Sequence, residues 1–292
     1  MTPRLADSVS VSPSLPLQVA QPPAEFDAYA ADYDGGMDNA IKRWAGDSAV
    51  EFIDVKVRWL LNELARRPLA SPRRHRPRVL DFGCGVGTFL ARLRWHGFGG
   101  KLRGCDVSAE MLARAEADWE IGPVPAFDCL SDSVWPYADD SFDMIIACCV
   151  FHHVPLAERG AIYGQFARIL APGGRVYIFE HNPFNPATQW VVRQTPIDQN
   201  AVLLRAGEAR QGLRAVGLEG LRQEAMLFVP PRWRRLSQCE RWLRWLPLGG
   251  QYVVVGEKRR VLTPAIHSLR LHRPQAMAPV LPSIFRREAR AA

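Results

Sequence analysis

The segment Asp81-Phe82-Gly83-Cys84-Gly85-Val86-Gly87 sets three glycines at alternate positions, after a short apolar run and before Thr88. Residues without a Cβ let backbone approach a ligand closely, and a following helix aims unpaired N–H groups and a positive dipole end at it. The spacing G-x-G-x-G differs from the G-x-G-x-x-G of a pyrophosphate site; a ligand-free strand-to-helix turn is the bland alternative. Asp106 closes the next apolar run, in Gly104-Cys105-Asp106-Val107-Ser108. A carboxylate there can accept both hydroxyls of a ribose, and Ser108 suits the role of helix cap better than Asp106 does. Further on, Val150-Phe151-His152-His153-Val154 and Glu180-His181-Asn182 each follow an apolar stretch. Imidazole titrates near neutrality, so His152, His153 or His181 can position or deprotonate an acceptor, with Glu180 beside them; a capping or structural histidine is the alternative.

These groups need elements that bring them to one edge. The pattern predicts strands at 78–82, 102–105, 124–127, 144–150, 175–179, 221–229 and 251–257, and helices at 37–66, 88–96, 109–120, 155–170 and 203–216. Pro172-Gly173-Gly174 reads as a turn, and the continuous apolar run Met144–Val150 as a central strand covered on both faces. Repeated βα units predict an α/β fold: a Rossmann-like, doubly wound, mostly parallel seven-stranded sheet with helices on both faces. In such sheets the ligand crevice lies beyond the carboxyl ends of the strands, where the glycine loop, Asp106 and the histidines all fall.

Four motifs stand in order: Val79–Gly87, Asp106 with Ser108-Ala109-Glu110-Met111-Leu112, Ser141-Phe142-Asp143-Met144-Ile145, and Ile169-Leu170-Ala171-Pro172-Gly173-Gly174-Arg175. Together they resemble the class I S-adenosylmethionine-dependent methyltransferases, over about 26–257. The resemblance implies S-adenosyl-L-methionine as cofactor and methyl transfer to a hydroxyl, amine or carbon of a small molecule. It implies that Asp81 orients the methionine end, that Gly83 and Gly85, with Cys84 between them, approach the amino-acid and ribose portions, and that Asp106 holds the ribose. Val107 and Met111 would flank the adenine, Asp128 would contact its amino group, and Cys129 would lie beside it. Phe26, Tyr29 and Tyr33 are similar to the aromatic segment that often covers this cofactor; packing against the sheet is the alternative.

The 292 residues are 48% hydrophobic, enough for a sizeable core. The sequence divides into a Ser/Pro-containing flexible tail (1–24), a methyltransferase domain (25–260) with a helical cap at 25–77 and a lid segment at its C-terminal end, and an Arg/Pro-rich tail (261–292). Ser71–Pro77 reads as a solvated basic connector. No apolar run is long enough for a membrane span, and the six cysteines form no C-x-x-C pair, so a reduced, cytoplasmic setting without metal is expected. A net charge of +7 suits an anionic partner, but 33 of the 37 basic residues are arginines, which coding bias also produces. A nucleic-acid methyltransferase is therefore the alternative. Asn182-Pro183-Phe184 is similar to an amino-methylation motif but lies one strand too late and lacks the second proline. A non-catalytic cofactor-binding protein is a third reading. Trp233, Trp242 and Trp245 among five arginines suit either a packing lid or contact with a membrane surface or lipid-linked substrate.

Overall fold

The computed structural model describes residues 25–33, 48–71, 73, 75–130, 135–233 and 235–260. The two tails, and the part of the first predicted helix before Ser48, lie outside the described residues. Helix α1 (Ala49–Arg66) precedes strand β1 (Arg78–Phe82). Then follow α2 (Thr88–Trp95), β2 (Lys101–Asp106), α3 (Ala109–Ala117), β3 (Ala126–Cys129) and β4 (Phe142–Cys148). After them come α4 (Leu156–Ile169), β5 (Leu170–His181), α5 (Pro186–Gln194), α6 (Ala206–Ala215), β6 (Glu219–Met226) and β7 (Gln251–Glu257). The seven strands form one sheet in the order β3-β2-β1-β4-β5-β7-β6, parallel except for β7, which runs antiparallel between β5 and β6. This is the expected Rossmann-like, mostly parallel sheet.

Strand β4 shows why the centre of the sheet is dry. Met144 and Ile146 pack on one face with Val57, Leu60 and Tyr177, while Ile145 and Ala147 pack on the other with Leu80, Phe166 and Val254. All four β4 residues are fully buried, and each large side chain there contributes roughly 1.5–3 kcal/mol through burial. The strand ends at Cys148, two residues before the expected boundary, because Cys149 turns to φ +59° and leaves the ladder. The region after it is a turn, anchored where Cys149 N–H donates to Phe179 O at 2.8 Å.

Three expectations are corrected. Pro172-Gly173-Gly174 is not a turn but part of β5, opposite a register irregularity in β4. Gly173 takes φ +76°, and its N–H donates to Lys258 O at 2.8 Å, so pairing with the chain beyond β7 carries the strand through. The connector before β1 is not wholly solvated: Arg73 donates to the buried Asp143 at 2.9 Å, and Ser71 also bonds that carboxylate. The Trp/Arg segment, where Leu236, Leu243 and Leu246 are spaced for one helical face, forms no single helix among the described residues. It breaks into a 3-10 turn at Leu236–Cys239 and one turn, α7, at Glu240–Leu243.

Candidate functional site

At the carboxyl ends of β1, β2, β4 and β5 lies a cavity of about 570 Å³, within the usual range for small-ligand sites. Its cofactor-side wall is largely backbone. Gly83, Gly85 and Gly87 all take positive φ, between +51° and +74°. At Gly83 any side chain is excluded twice over, since a Cβ would also sit 2.5 Å from Val150 Cγ2. Asp106 Oδ2 accepts the Gly85 N–H at 2.8 Å and Oδ1 the Ser108 N–H at 3.1 Å, so the end of β2 holds the loop after β1. Ser108 caps α3 by accepting the Met111 N–H. Asp81 is buried and neither of its carboxylate oxygens has a partner. Burial, reinforced by the charge of Asp106, pushes the Asp81 carboxyl well above its ordinary value. A buried carboxylate without donors is costly and calls for a cationic or N–H group from a ligand.

The opposite wall is built of side chains. Glu180, at the end of β5, accepts the N–H groups of Val150 and Phe151 at 3.0 and 2.7 Å, and His152 Nδ1 lies 2.7 Å from its other oxygen. His152 Nε2 and His153 Nε2 each stand 3.4 Å from Asp198 Oδ1. Burial alone would lower the His152 pKa, but Glu180 and Asp198 outweigh it and raise it to about 10, so at neutral pH this ring is an imidazolium. Against the desolvation that opposes it, hydrogen bonding to His152 and His153 holds Asp198 well below the usual carboxylate range. Asp198 reaches the histidines because Val202 N–H donates to His152 O and Arg159 donates to Val202 O, both at 2.8 Å.

The match to known proteins falls on these same strands. Residues 79–174 match the family model described as a methyltransferase domain. Over 107 residues the chain is 39% identical to a methyltransferase, GfsG, of Streptomyces halstedii, covering 35% of this chain and 36% of that one. Over 173 residues it is 31% identical to the ribosomal RNA small subunit methyltransferase C of Klebsiella pneumoniae, covering 58% and 47%. The chain thus spans less than half the length of either relative. A solved S-adenosylmethionine-dependent methyltransferase of Thermotoga maritima shares the fold, with a TM-score of 0.55 and 16% identity over 80% of this chain and 98% of that one. The chain carries a class I S-adenosylmethionine-dependent methyltransferase domain.

Within that domain the residues present suit the cofactor. The glycine cradle lets backbone reach a ligand, and the orphaned Asp81 carboxyl can ionise against a cationic amino group. Of the positions expected to bind cofactor, Gly83, Gly85, Asp106, Val107, Met111 and Tyr33 line the cavity, as does Phe26. The segment bearing Phe26 and Tyr33 is clamped onto α3, where Asp27 bonds Ser108 and Arg114 donates to Ala30 O at 2.7 Å. Asp81, buried behind the loop, does not itself line the cavity, and the others stand apart. Asp128 accepts from Arg103 at 2.9 Å and from Tyr137 at 2.8 Å, which occupies the carboxylate outside the cavity. The Cys129 thiol is turned to the carbonyl of Val107, and Cys84 is packed beneath the loop against Gly104. The Tyr29 hydroxyl donates to Pro196 O, on the loop that carries Asp198 rather than on the glycine side.

All three candidate histidines line the cavity. The rings of His152 and His153 have centroids 4.1 Å apart and those of His152 and His181 5.1 Å, and the Phe26 ring meets His153 edge-on. Sequence reasoning missed Asp198, Lys56 and Gln251, which join them. Lys56 had a readable signal: it lies three residues from Ile53 and four from Leu60, on the apolar face of α1. Asp198, at the end of a short 3-10 turn (Pro196–Asp198), had none. Nitrogen and oxygen atoms of His152, His153 and Asp198 fall within 4.8 Å of one another, a group able to hold a cation if both rings are neutral. A proton on His152 opposes that use.

Proposed function

We propose that this protein transfers a methyl group from S-adenosyl-L-methionine to a small organic acceptor, with His153 as the base that takes the acceptor's proton. The observation that carries this reading is one cavity joining the glycine cradle to the histidine wall. Its other walls are apolar, from Phe52 and Ile53 of α1, Val191 of α5, and Leu227 to Pro231. The cofactor supplies an already activated sulfonium methyl. The protein's own task is to align the acceptor and exclude water. Asp81, Gly83, Gly85 and Asp106 hold the cofactor end, and Tyr33 and Phe26 cover it.

At the acceptor end, the tautomer with His153 Nε2–H turned to Asp198 leaves the lone pair on Nδ1, which accepts a hydroxyl proton as methyl transfer proceeds. The imidazolium of His152 is less suited to this, being protonated at neutral pH and held between Glu180 and Asp198; it keeps Asp198 charged and in place. The exposed Trp233, Trp242 and Trp245 stand on the segment that begins with the cavity wall at 227–231, which suits an apolar or lipid-presented acceptor. Six free cysteines suit a reducing, cytoplasmic setting; among the described residues no helix is long and apolar enough to cross a membrane.

The test is incubation with cofactor carrying a labelled methyl and a fractionated cell extract, with mass identification of the labelled species. Label in a small molecule is the expected result. Label confined to nuclease-sensitive material would replace this reading with the nucleic-acid one, which the charge of +7 and the Klebsiella relative favour.

A further inference from the structure

Beside the histidines, a second polar cluster reaches the cavity that methyl transfer as derived above does not use. Lys56, on α1, is only 3% exposed, and among the described residues no carboxylate pairs with it. A buried ammonium requires an anionic partner. Its ammonium bonds the thiols of Cys148 and Cys149 instead, with Nζ 3.6 Å from Cys149 Sγ. A second donor converges from β7: Gln251 Nε2 is also 3.6 Å from Cys149 Sγ and lies 3.2 Å from His181 Nδ1. Gln251 is 6% exposed, lines the cavity, and leaves its Oε1 without any partner. Cys149 is held in the left-handed region at φ +59°, a strained conformation for a non-glycine residue that collects at functional sites.

We propose that Cys149 is a covalent-modification site, a sulfur in the cavity wall between the Lys56 ammonium and the Gln251 amide that is alkylated by soft carbon electrophiles. The other cysteines supply the contrast. Burial pushes the thiols of Cys84 and Cys105 well above their ordinary value, whereas Cys129 and Cys239 are exposed to solvent. At Cys149 a hydrogen bond with Cys148 outweighs burial, the charges of Lys56 and His181 assist, and the thiol is held well below its ordinary value. Lys56 from α1, Tyr33 from the N-terminal segment, Cys148 from β4, His152 from the turn, His181 from β5 and Tyr252 from β7 are the titratable groups that act on it. With an alkyl halide, the Sγ lone pair forms the S–C bond and the halide leaves with the carbon–halogen pair. Any proton on Sγ passes to water, and Lys56 is left beside a neutral thioether.

The experiment treats the full-length chain with limiting iodoacetamide and reads each cysteine by peptide mass spectrometry. This readout needs no turnover, so it stands or falls apart from methyl transfer. At about pH 6.5, Cys149 is expected to label at least tenfold faster than Cys129 or Cys239, although both are more exposed. Its rate should already be level through about pH 8.5, where an ordinary thiol is still titrating. Lys56→Met should reduce the advantage of Cys149 about tenfold; if that variant does not fold, the wild-type pH profile decides alone. Labelling of Cys149 no faster than that of Cys239, or a rate that climbs with pH through about 8.5 like a free thiol, would overturn the proposal.

Discussion

The glycine loop after β1 and the histidine turn after β4 are neighbours on one sheet edge, yet they are made of different materials. The first is backbone in unusual conformations, held by one carboxylate, Asp106, and covered by a clamped aromatic segment. The second is a knot of polar and charged side chains drawn from α1, β5, β7 and the turn around Asp198, with Glu180 at its centre. A backbone cradle recognises a constant ligand by shape and N–H groups. A side-chain knot can be rebuilt one residue at a time to suit a different acceptor, without disturbing the cradle. Its cost is electrostatic, because each buried charge depends on the others.

The largest expected effect belongs to the side-chain half. His153→Ala should reduce single-turnover methyl transfer by about 10²–10⁴-fold with cofactor affinity unchanged. A rate within about threefold of wild type, some 0.7 kcal/mol in the barrier, would leave alignment alone to explain catalysis. Parallel His152→Ala and His181→Ala variants, normalised to folded, cofactor-bound protein, separate the base from its supports.

Next comes Glu180→Ala, which strips two backbone N–H groups and an imidazolium of their partner at once. Denaturant unfolding should show a loss of roughly 3–5 kcal/mol. A loss under about 1 kcal/mol, the scale of an ordinary substitution, would mean that the knot is not the strained half of the site.

On the cradle side, Asp106→Ala should weaken cofactor binding by about 1–3 kcal/mol in titration calorimetry. Unchanged affinity with the fold intact would remove Asp106 from the site. Asp81→Asn should also weaken binding, while raising the stability of the cofactor-free protein by about 1 kcal/mol. Its carboxyl is pushed up by burial, so ionisation near neutral pH works against folding until a ligand meets it. A variant that is less stable without cofactor would show that Asp81 already has a partner.

The broadest effect is on pH. His152 gains a proton on folding, its pKa rising from 6.5 to about 10. The stability that it contributes is complete below pH 6.5 and is lost as pH climbs toward 10. Asp198 acts in the opposite sense: its folded value is depressed, so its contribution is present above the ordinary carboxylate range and fades as pH falls. Thermal unfolding from pH 6 to 10 should therefore decline more steeply for wild type than for His152→Asn. Identical slopes would place the charge on another ring.

Local patterns announced the cradle because its parts are contiguous or one βα unit apart. Three glycines, a carboxylate at the next strand end and a capping serine were visible as spacing alone. They said less about a residue's surroundings. Asp128 and Cys129 sit at the expected strand end, but Arg103 and Tyr137 take up the carboxylate and the Cys129 thiol turns to a carbonyl. The run Met144–Val150 reads as unbroken strand because all its residues are apolar. Nothing in that run shows that Cys149 leaves the ladder.

From the sequence alone came the mostly parallel α/β sheet, the glycine cradle with Asp106, and the presence of histidines at the ligand edge. Those features depend on periodicity, on conformations that only glycine adopts readily, and on the rule that crevices open beyond strand ends. Tertiary structure alone decided that His152 stands between Glu180 and Asp198, and that Lys56 and Gln251 meet at Cys149. Asp198 stands 45 or more residues from both histidines that it contacts, and Lys56 stands 93 from Cys149. Electrostatic interactions depend on distance and burial in space, and a linear sequence records neither.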